Sequence, residues 1–154
     1  MTTHCHYSAW KLLVAMMFVS LLGIAQIDHA AAELPIAEIK HDGPVDFQKE
    51  ILPILRRNCL ACHNATDAES DLVLGTRKTI AAGGSEGPSV VAGKSAESLL
   101  FKLASHADDP VMPPEDNDVG AKNLTPEQLG LLKLWIDQGA KGEVSNLTGP
   151  IQWQ

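Results

Sequence analysis

Apolar positions are spread unevenly along the chain, and their spacing predicts helices separated by long loops. The first dense run, residues 12–25, is continuous rather than periodic, with Ser20 as its one polar interruption. At about 14 to 16 residues it is shorter than the roughly 18 to 20 that a membrane-spanning helix needs. Lys11 precedes it and Ala30-Ala31-Ala32 follows it, the order of an export signal with a small-residue cleavage site. Residues 1–32 are therefore expected to be a signal peptide, cut after Ala32 give or take two residues. The competing reading is an uncleaved anchor. Residues 33–44 are polar, contain Pro35, Gly43 and Pro44, and read as a flexible leader that becomes ordered near Val45.

Periodic patterning begins at Asp46, which is placed to cap a helix whose apolar face is Phe47, Ile51, Leu52, Ile54 and Leu55. Pro53 is awkward inside it, so either the helix bends or a tighter second segment starts near the proline. Residues 66–70 are a polar loop, and Leu72, Val73 and Leu74 form a run too brief to classify. The glycine-rich stretch 81–93 reads as a loop able to lie close against a flat object. Ser95 reads as the cap of a second helix containing Leu99, Leu100 and Leu103. Residues 105–120 are a loop with Pro110, Pro113, Pro114 and the acids Asp108, Asp109, Glu115, Asp116 and Asp118. The last helix has the clearest signals. Thr125 caps it, Pro126 opens it, and Gln128 completes a capping box. Leu129, Leu132 and Ile136 form its stripe, Leu131 and Trp135 flank it, and Gly139 stops it. Residues 141–154 are left as a C-terminal tail.

The pattern thus gives an all-α domain of about three main helices. Its loops exceed the roughly 12 to 15 residues that compact domains usually tolerate without an organising element. Composition sharpens this. Hydrophobic residues make up 45% of the chain but aromatic residues only 5%, so few large side chains are available to fill a core. A flat apolar cofactor embedded among the loops would supply what the side chains lack. Charge excludes one class of partner. Twelve Lys and Arg against nineteen Asp and Glu give −7, the wrong sign for a protein that neutralises nucleic-acid phosphates.

Three cysteines are too few for a disulfide scaffold. Cys5 lies before the apolar run and would leave with the signal; a lipoprotein cysteine would follow that run. Cys59-Leu60-Ala61-Cys62-His63 is C-x-x-C-H, the attachment signature of c-type haem. Two thiols at this spacing meet two vinyl groups along one porphyrin edge, and the adjacent histidine reaches the iron from one face. Export agrees with this, because haem is attached to such thiols outside the bacterial cytoplasm. Three rival readings are a Cys59–Cys62 disulfide, a zinc site on Cys59, Cys62 and His63, and a thioredoxin-type redox pair. The first leaves His63 unexplained, the second lacks a second ligand pair, and the third lacks its βαβ context.

Haem iron held by one histidine keeps an open face, which electron carriers commonly close with methionine. Met112 is the one methionine outside the signal, and it sits among prolines and acids rather than in a core pattern. It is the candidate sixth ligand; the bland alternative is a gap-filler. His106 competes, although a lone histidine in a polar stretch is normally solvated, and His41 is a weaker competitor still.

The chain resembles the planctomycete-type cytochrome c domain over about residues 45–140. The motifs, in order, are Val45-Asp46-Phe47, Ile51-Leu52-Pro53-Ile54-Leu55, Cys59-x-x-Cys62-His63, Gly83-Gly84-Ser85-x-Gly87-Pro88, Gly93-Lys94 and Ser98-Leu99-Leu100. They continue with Met112-Pro113-Pro114, Leu124-Thr125-Pro126-Glu127-Gln128 and Leu134-Trp135-Ile136-Asp137-Gln138-Gly139-Ala140. The resemblance implies a small cytochrome c-like fold wrapped around one haem c, bound covalently by Cys59 and Cys62, with His63 proximal and Met112 distal. The chain departs from the family in a short segment after His63 and in Gly75, where Asp is common.

The expected function is single-electron transfer by an exported, periplasmic mono-haem cytochrome, with no substrate bond broken. The acidic balance suits a redox partner with a basic docking face, and Glu115, Asp116 and Asp118 are candidates to line the contact. A sensor or peroxidase-like site with a labile sixth ligand is the alternative from another class, and a zinc-stabilised interaction module is a third. Asp108 and Asp109 are adjacent in a loop and give no opposed pair for acid–base catalysis.

Overall fold

The computed structural model describes residues 32–142. The expected signal segment, except Ala32, and all but the first two residues of the expected tail lie outside the described residues. Four α-helices are present among those described, with no strand: α1 (Leu52–Asn58), α2 (Arg77–Ala82), α3 (Leu99–Ala104) and α4 (Pro126–Asp137). The domain is helix-rich, as the all-α reading requires, but about three helices becomes four. The additional one is α2, whose six residues bury a single apolar side chain, Ile80. A helix with one buried residue has no stripe for periodicity to find. It forms because Thr76 and Thr79 cap each other reciprocally at its start.

A wide π-helical turn, Phe47–Ile51, leads into α1. Asp46 caps it as expected, accepting from the backbone N–H groups of Gln48 (2.8 Å) and Lys49 (3.1 Å). Glu50 reaches back to the Asp46 N–H at 2.7 Å and completes the cap. Pro53 falls in the first turn of α1, where a missing N–H costs nothing. The change of helical register before Pro53 is how the chain accommodates it.

The start of α3 is corrected by three residues. Ser95–Glu97 is a separate 3-10 turn, and the helix begins at Leu99. Ser95 is buried, with its N–H donated to the Asp137 carboxylate at 2.9 Å. The Ser98 hydroxyl binds the Lys94 carbonyl (2.9 Å) and accepts from the Val91 N–H (2.9 Å). Helix α4 forms as its sequence requires. Thr125 and Gln128 exchange their capping hydrogen bonds, and Gly139 follows the C-cap in a left-handed conformation (φ +94°).

The core is built where α4 packs against the π turn, which α1 continues. Phe47, Ile51, Leu55, Leu129, Leu132, Trp135 and Ile136 are fully buried. Phe47 and Trp135 stack at a tilt with centroids 5.4 Å apart, and the Trp135 indole N–H donates to the Lys141 carbonyl at 2.7 Å. A buried indole with its donor satisfied contributes its whole apolar area without a desolvation penalty. Residues 34–39, part of the expected leader, are tied to the domain. Leu34 N–H donates to Ser105 (2.8 Å) and Ala37 N–H to Pro126 (2.9 Å). Gly130 makes room for this segment, since a Cβ there would lie 2.2 Å from the Ala37 carbonyl oxygen.

Candidate functional site

The end of α1 delivers Cys59. Its N–H and that of Leu60 both donate to the Leu55 carbonyl, at 2.8 and 3.0 Å. The N–H groups of Cys62 (3.3 Å) and His63 (3.0 Å) then turn back onto the Cys59 carbonyl. Leu60, buried to 1%, anchors this turn in the core. Asn64 closes it. Its amide donates to the Leu60 and Ala61 carbonyls, and its Oδ1 accepts from Thr66 and Asp67.

His63 is held twice. Its carbonyl accepts from Leu74 N–H at 2.9 Å, and its ring Nδ1 lies 3.1 Å from the Glu69 carbonyl oxygen. A carbonyl only accepts, so Nδ1 carries the proton and Nε2 keeps its lone pair. That is the tautomer of a histidine oriented for a metal through its far nitrogen.

Cys59, Cys62 and His63 line a cavity of ≈ 520 Å³, within the roughly 300–1,000 Å³ of ordinary cofactor pockets. Leu72 and Leu74 continue its wall on the same side of the sequence, and Leu99, Leu100, Leu103 and Ala104 of α3 contribute another part. Gly84 and Gly87 of the glycine-rich stretch lie on it as well. Gly84 packs so tightly on the 70–72 backbone that a Cβ would come 2.4 Å from the Ser70 carbonyl oxygen.

Met112 lines the same cavity. It is half-buried, its N–H donates to the Leu103 carbonyl at 3.0 Å, and Pro113 beside it is buried. The structure therefore brings Cys59, Cys62, His63 and Met112 to one cavity. His106 and His41 are not on its walls. His106 is buried rather than solvated, a correction to its sequence reading. It lies at φ +61° where the chain leaves α3, and its Nε2 has no hydrogen-bond partner. Polar neighbours in sequence gave no sign of this. His41 bonds Glu50 (3.0 Å) and the Gly43 carbonyl (2.9 Å).

Both thiols are free. Burial, and secondarily the neighbouring Cys62, pushes the Cys59 thiol up to about 12. Burial first, then the charges of Glu69 and Asp67, raise the Cys62 thiol as well. A dithiol redox pair works by the opposite shift, toward thiolate. Among the described residues no three His, Cys, Asp or Glu side chains are grouped to hold a metal ion. Asp116 and Asp118 are exposed and line the cavity with Glu69 and Glu86, whereas Glu115 is exposed off its wall. Asp108 pairs with Lys102, which holds its carboxyl below the usual range.

Two protonated thiols, an imidazole with a free Nε2, and a thioether around one largely aliphatic cavity fit a covalently attached haem. Sequence reasoning missed the groups that orient them: the Glu69 carbonyl and Asn64. A backbone acceptor has no signature of its own. Asn64-Ala65-Thr66-Asp67, in contrast, is a readable Asx-turn pattern.

A C-x-x-C-H turn opening on such a cavity in a helical domain is the arrangement expected of a c-type cytochrome. Residues 59–116 match the family described as Planctomycete cytochrome C, so this stretch is similar to a planctomycete-type cytochrome c domain. Haem c and electron transport come with that family. No curated protein and no solved structure matches the chain.

Proposed function

We propose that the protein is an exported mono-haem cytochrome that passes single electrons to and from a separate partner protein. Cys59 and Cys62 hold the haem through thioethers, His63 binds the iron through Nε2, and Met112 closes the sixth position. The observation that carries this reading is the presence of all four side chains on one cavity wall set. The haem supplies one-electron chemistry, and the chain supplies orientation, exclusion of water and axial donors. His63 is prevented from turning by Glu69, and Met112 is tethered at the end of α3, so little has to move when the charge of the centre changes. In this reading the domain acts as a carrier rather than an enzyme.

Asp116 and Asp118 at the cavity, with the net charge of −7, favour a partner that presents a basic face, and the association weakens as salt rises. Residues 1–32 direct export and are removed, which makes the mature protein periplasmic. Among the described residues no helix is long and apolar enough to cross a membrane.

The test is a reduced-minus-oxidised visible spectrum of protein exported by a host with c-type maturation machinery, followed by exposure to carbon monoxide. Sharp low-spin ferrous bands that carbon monoxide changes slowly or not at all are the expected result. A five-coordinate ferrous spectrum with immediate carbon monoxide binding contradicts Met112 ligation and moves the protein to the sensor or peroxidase-like class.

A further inference from the structure

We propose that Asn117 is a positioning residue that locks the loop 114–121 across the mouth of the cavity and so keeps Met112 on the iron. The inference rests on the axial role proposed for Met112.

The Asn117 side chain spends all of its main hydrogen-bonding capacity inside this one loop. Its Nδ2 donates to the Pro114 carbonyl (2.7 Å) and to the Ala121 carbonyl (3.1 Å), while Oδ1 accepts from the Ala121 N–H (2.8 Å). Its backbone N–H also donates to Pro114 at 3.3 Å. One amide thus joins the two ends of the loop. Among the described residues, no other side chain hydrogen-bonds within residues 114–121. The loop has no secondary structure to fix it, and Asp116, Asp118 and Val119 are exposed.

The loop is also part of the site. Pro114, Asn117, Val119 and Ala121 line the cavity. Pro114 is two residues from Met112, whose own N–H is fastened to Leu103. Met112 therefore sits on a short span with one anchor at α3 and the other at Asn117. Val119 remains 53% exposed at the edge of an apolar cavity. An untethered loop would be free to move such a side chain out of water. Without the Asn117 amide the span gains conformations in which the thioether is away from the metal, and an external ligand then competes more easily.

The experiment titrates imidazole into the ferric holoprotein and follows the change of axial ligand in the visible spectrum. Asn117→Ala is expected to raise the apparent imidazole affinity roughly tenfold, the factor that corresponds to one or two lost hydrogen bonds. Asn117→Asp keeps an acceptor for Ala121 N–H but loses both donors, and is expected to fall between Asn117→Ala and wild type. It also serves if Asn117→Ala does not accumulate. In a Met112→Ala background the gain from changing Asn117 is expected to vanish, because the effect passes through Met112. Wild-type imidazole affinity in the Asn117 variants, with or without a lower Tm, overturns the proposal. So does a gain that persists without Met112. A colourless wild-type protein overturns the haem reading and this inference with it, whereas a haem-loaded wild type with unresponsive Asn117 variants overturns the inference alone.

Discussion

His63 and Met112 show how little of a residue's role lies in its own identity. The role proposed for the imidazole depends on the Glu69 carbonyl, which accepts a hydrogen bond from Nδ1–H and so orients Nε2. The thioether is useful because Leu103 and the neighbouring prolines hold its backbone. Replacing Met112 by Ala should abolish the methionine contribution to the ferric spectrum and lower the midpoint potential, since methionine/histidine ligation raises it. An unchanged spectrum and potential would remove Met112 from the iron. The cysteines give a second test at this scale. In the haem-free protein the Cys59 thiol is raised in the folded state, from 9.0 to about 12. A raised thiol contributes stability that is complete below pH 9.0 and lost as pH climbs through the folded value. Haem-free wild type should therefore lose stability between pH 9 and 12 more steeply than haem-free Cys59→Ala, measured by denaturant midpoint. The haem-loaded protein, whose sulfurs are thioethers, should lack this component. Cys59, Cys62 and His63 are legible as a motif because attachment chemistry fixes their spacing. His106 was misread and Asn117 unremarked, because burial and loop closure depend on chain reversals that no local pattern encodes.

Among the elements, legibility followed the number of independent signals. Helix α4 carries a capping box, an N-terminal proline, an apolar stripe and a glycine stop, and it forms between the expected bounds. Helix α2 carries one buried residue and a Thr–Thr cap; its first four residues drew no reading and its last two fell in the stretch expected to be loop. The entry to α3 offered two serines, Ser95 and Ser98. Only the tertiary bond from Ser95 N–H to Asp137 decides between them. Thr125→Ala should cost about 1 kcal/mol, the usual value of an N-cap side chain, seen as a lower denaturant midpoint. Gly130→Ala should cost more than its helix propensity returns, on the order of 1–3 kcal/mol for an overpacked contact. The Cβ would collide with the Ala37 carbonyl, so residues 34–39 should become more susceptible to proteolysis in that variant. Equal or greater stability would show that the segment can withdraw from α4 without loss.

For the whole molecule, a small aromatic-poor chain reaches a defined fold by surrounding a cavity with aliphatic side chains and turns. The long loops that looked implausible for a compact domain are the cavity walls, and their order depends on tethers such as Asn64 and Asn117. A pH profile tests one tether, between residues nine apart in the sequence. The hydrogen bond to the Gly43 carbonyl, then that to Glu50, raises His41 above 6.5; the Asp46 N–H holds Glu50 below 4.5. The histidine contribution is complete below pH 6.5 and lost as pH rises through its raised value. The glutamate contribution is present above pH 4.5 and lost as pH falls through its lowered one. The pair should stabilise most between pH 4.5 and 6.5, and His41→Asn should flatten the stability profile above that window. A profile unchanged by the substitution would mean that the contact contributes nothing in solution.

The most direct test of the central claim is the intact mass of the exported protein under denaturing conditions, alongside Cys59→Ala, Cys62→Ala and the double variant. The account predicts that wild type carries the mass of one haem and keeps its haem stain on a denaturing gel. Each single variant should be attached through one bond or lost during maturation, and the double variant should carry none. A wild-type mass equal to the polypeptide alone, from a host that attaches haem to a control cytochrome, would contradict the account.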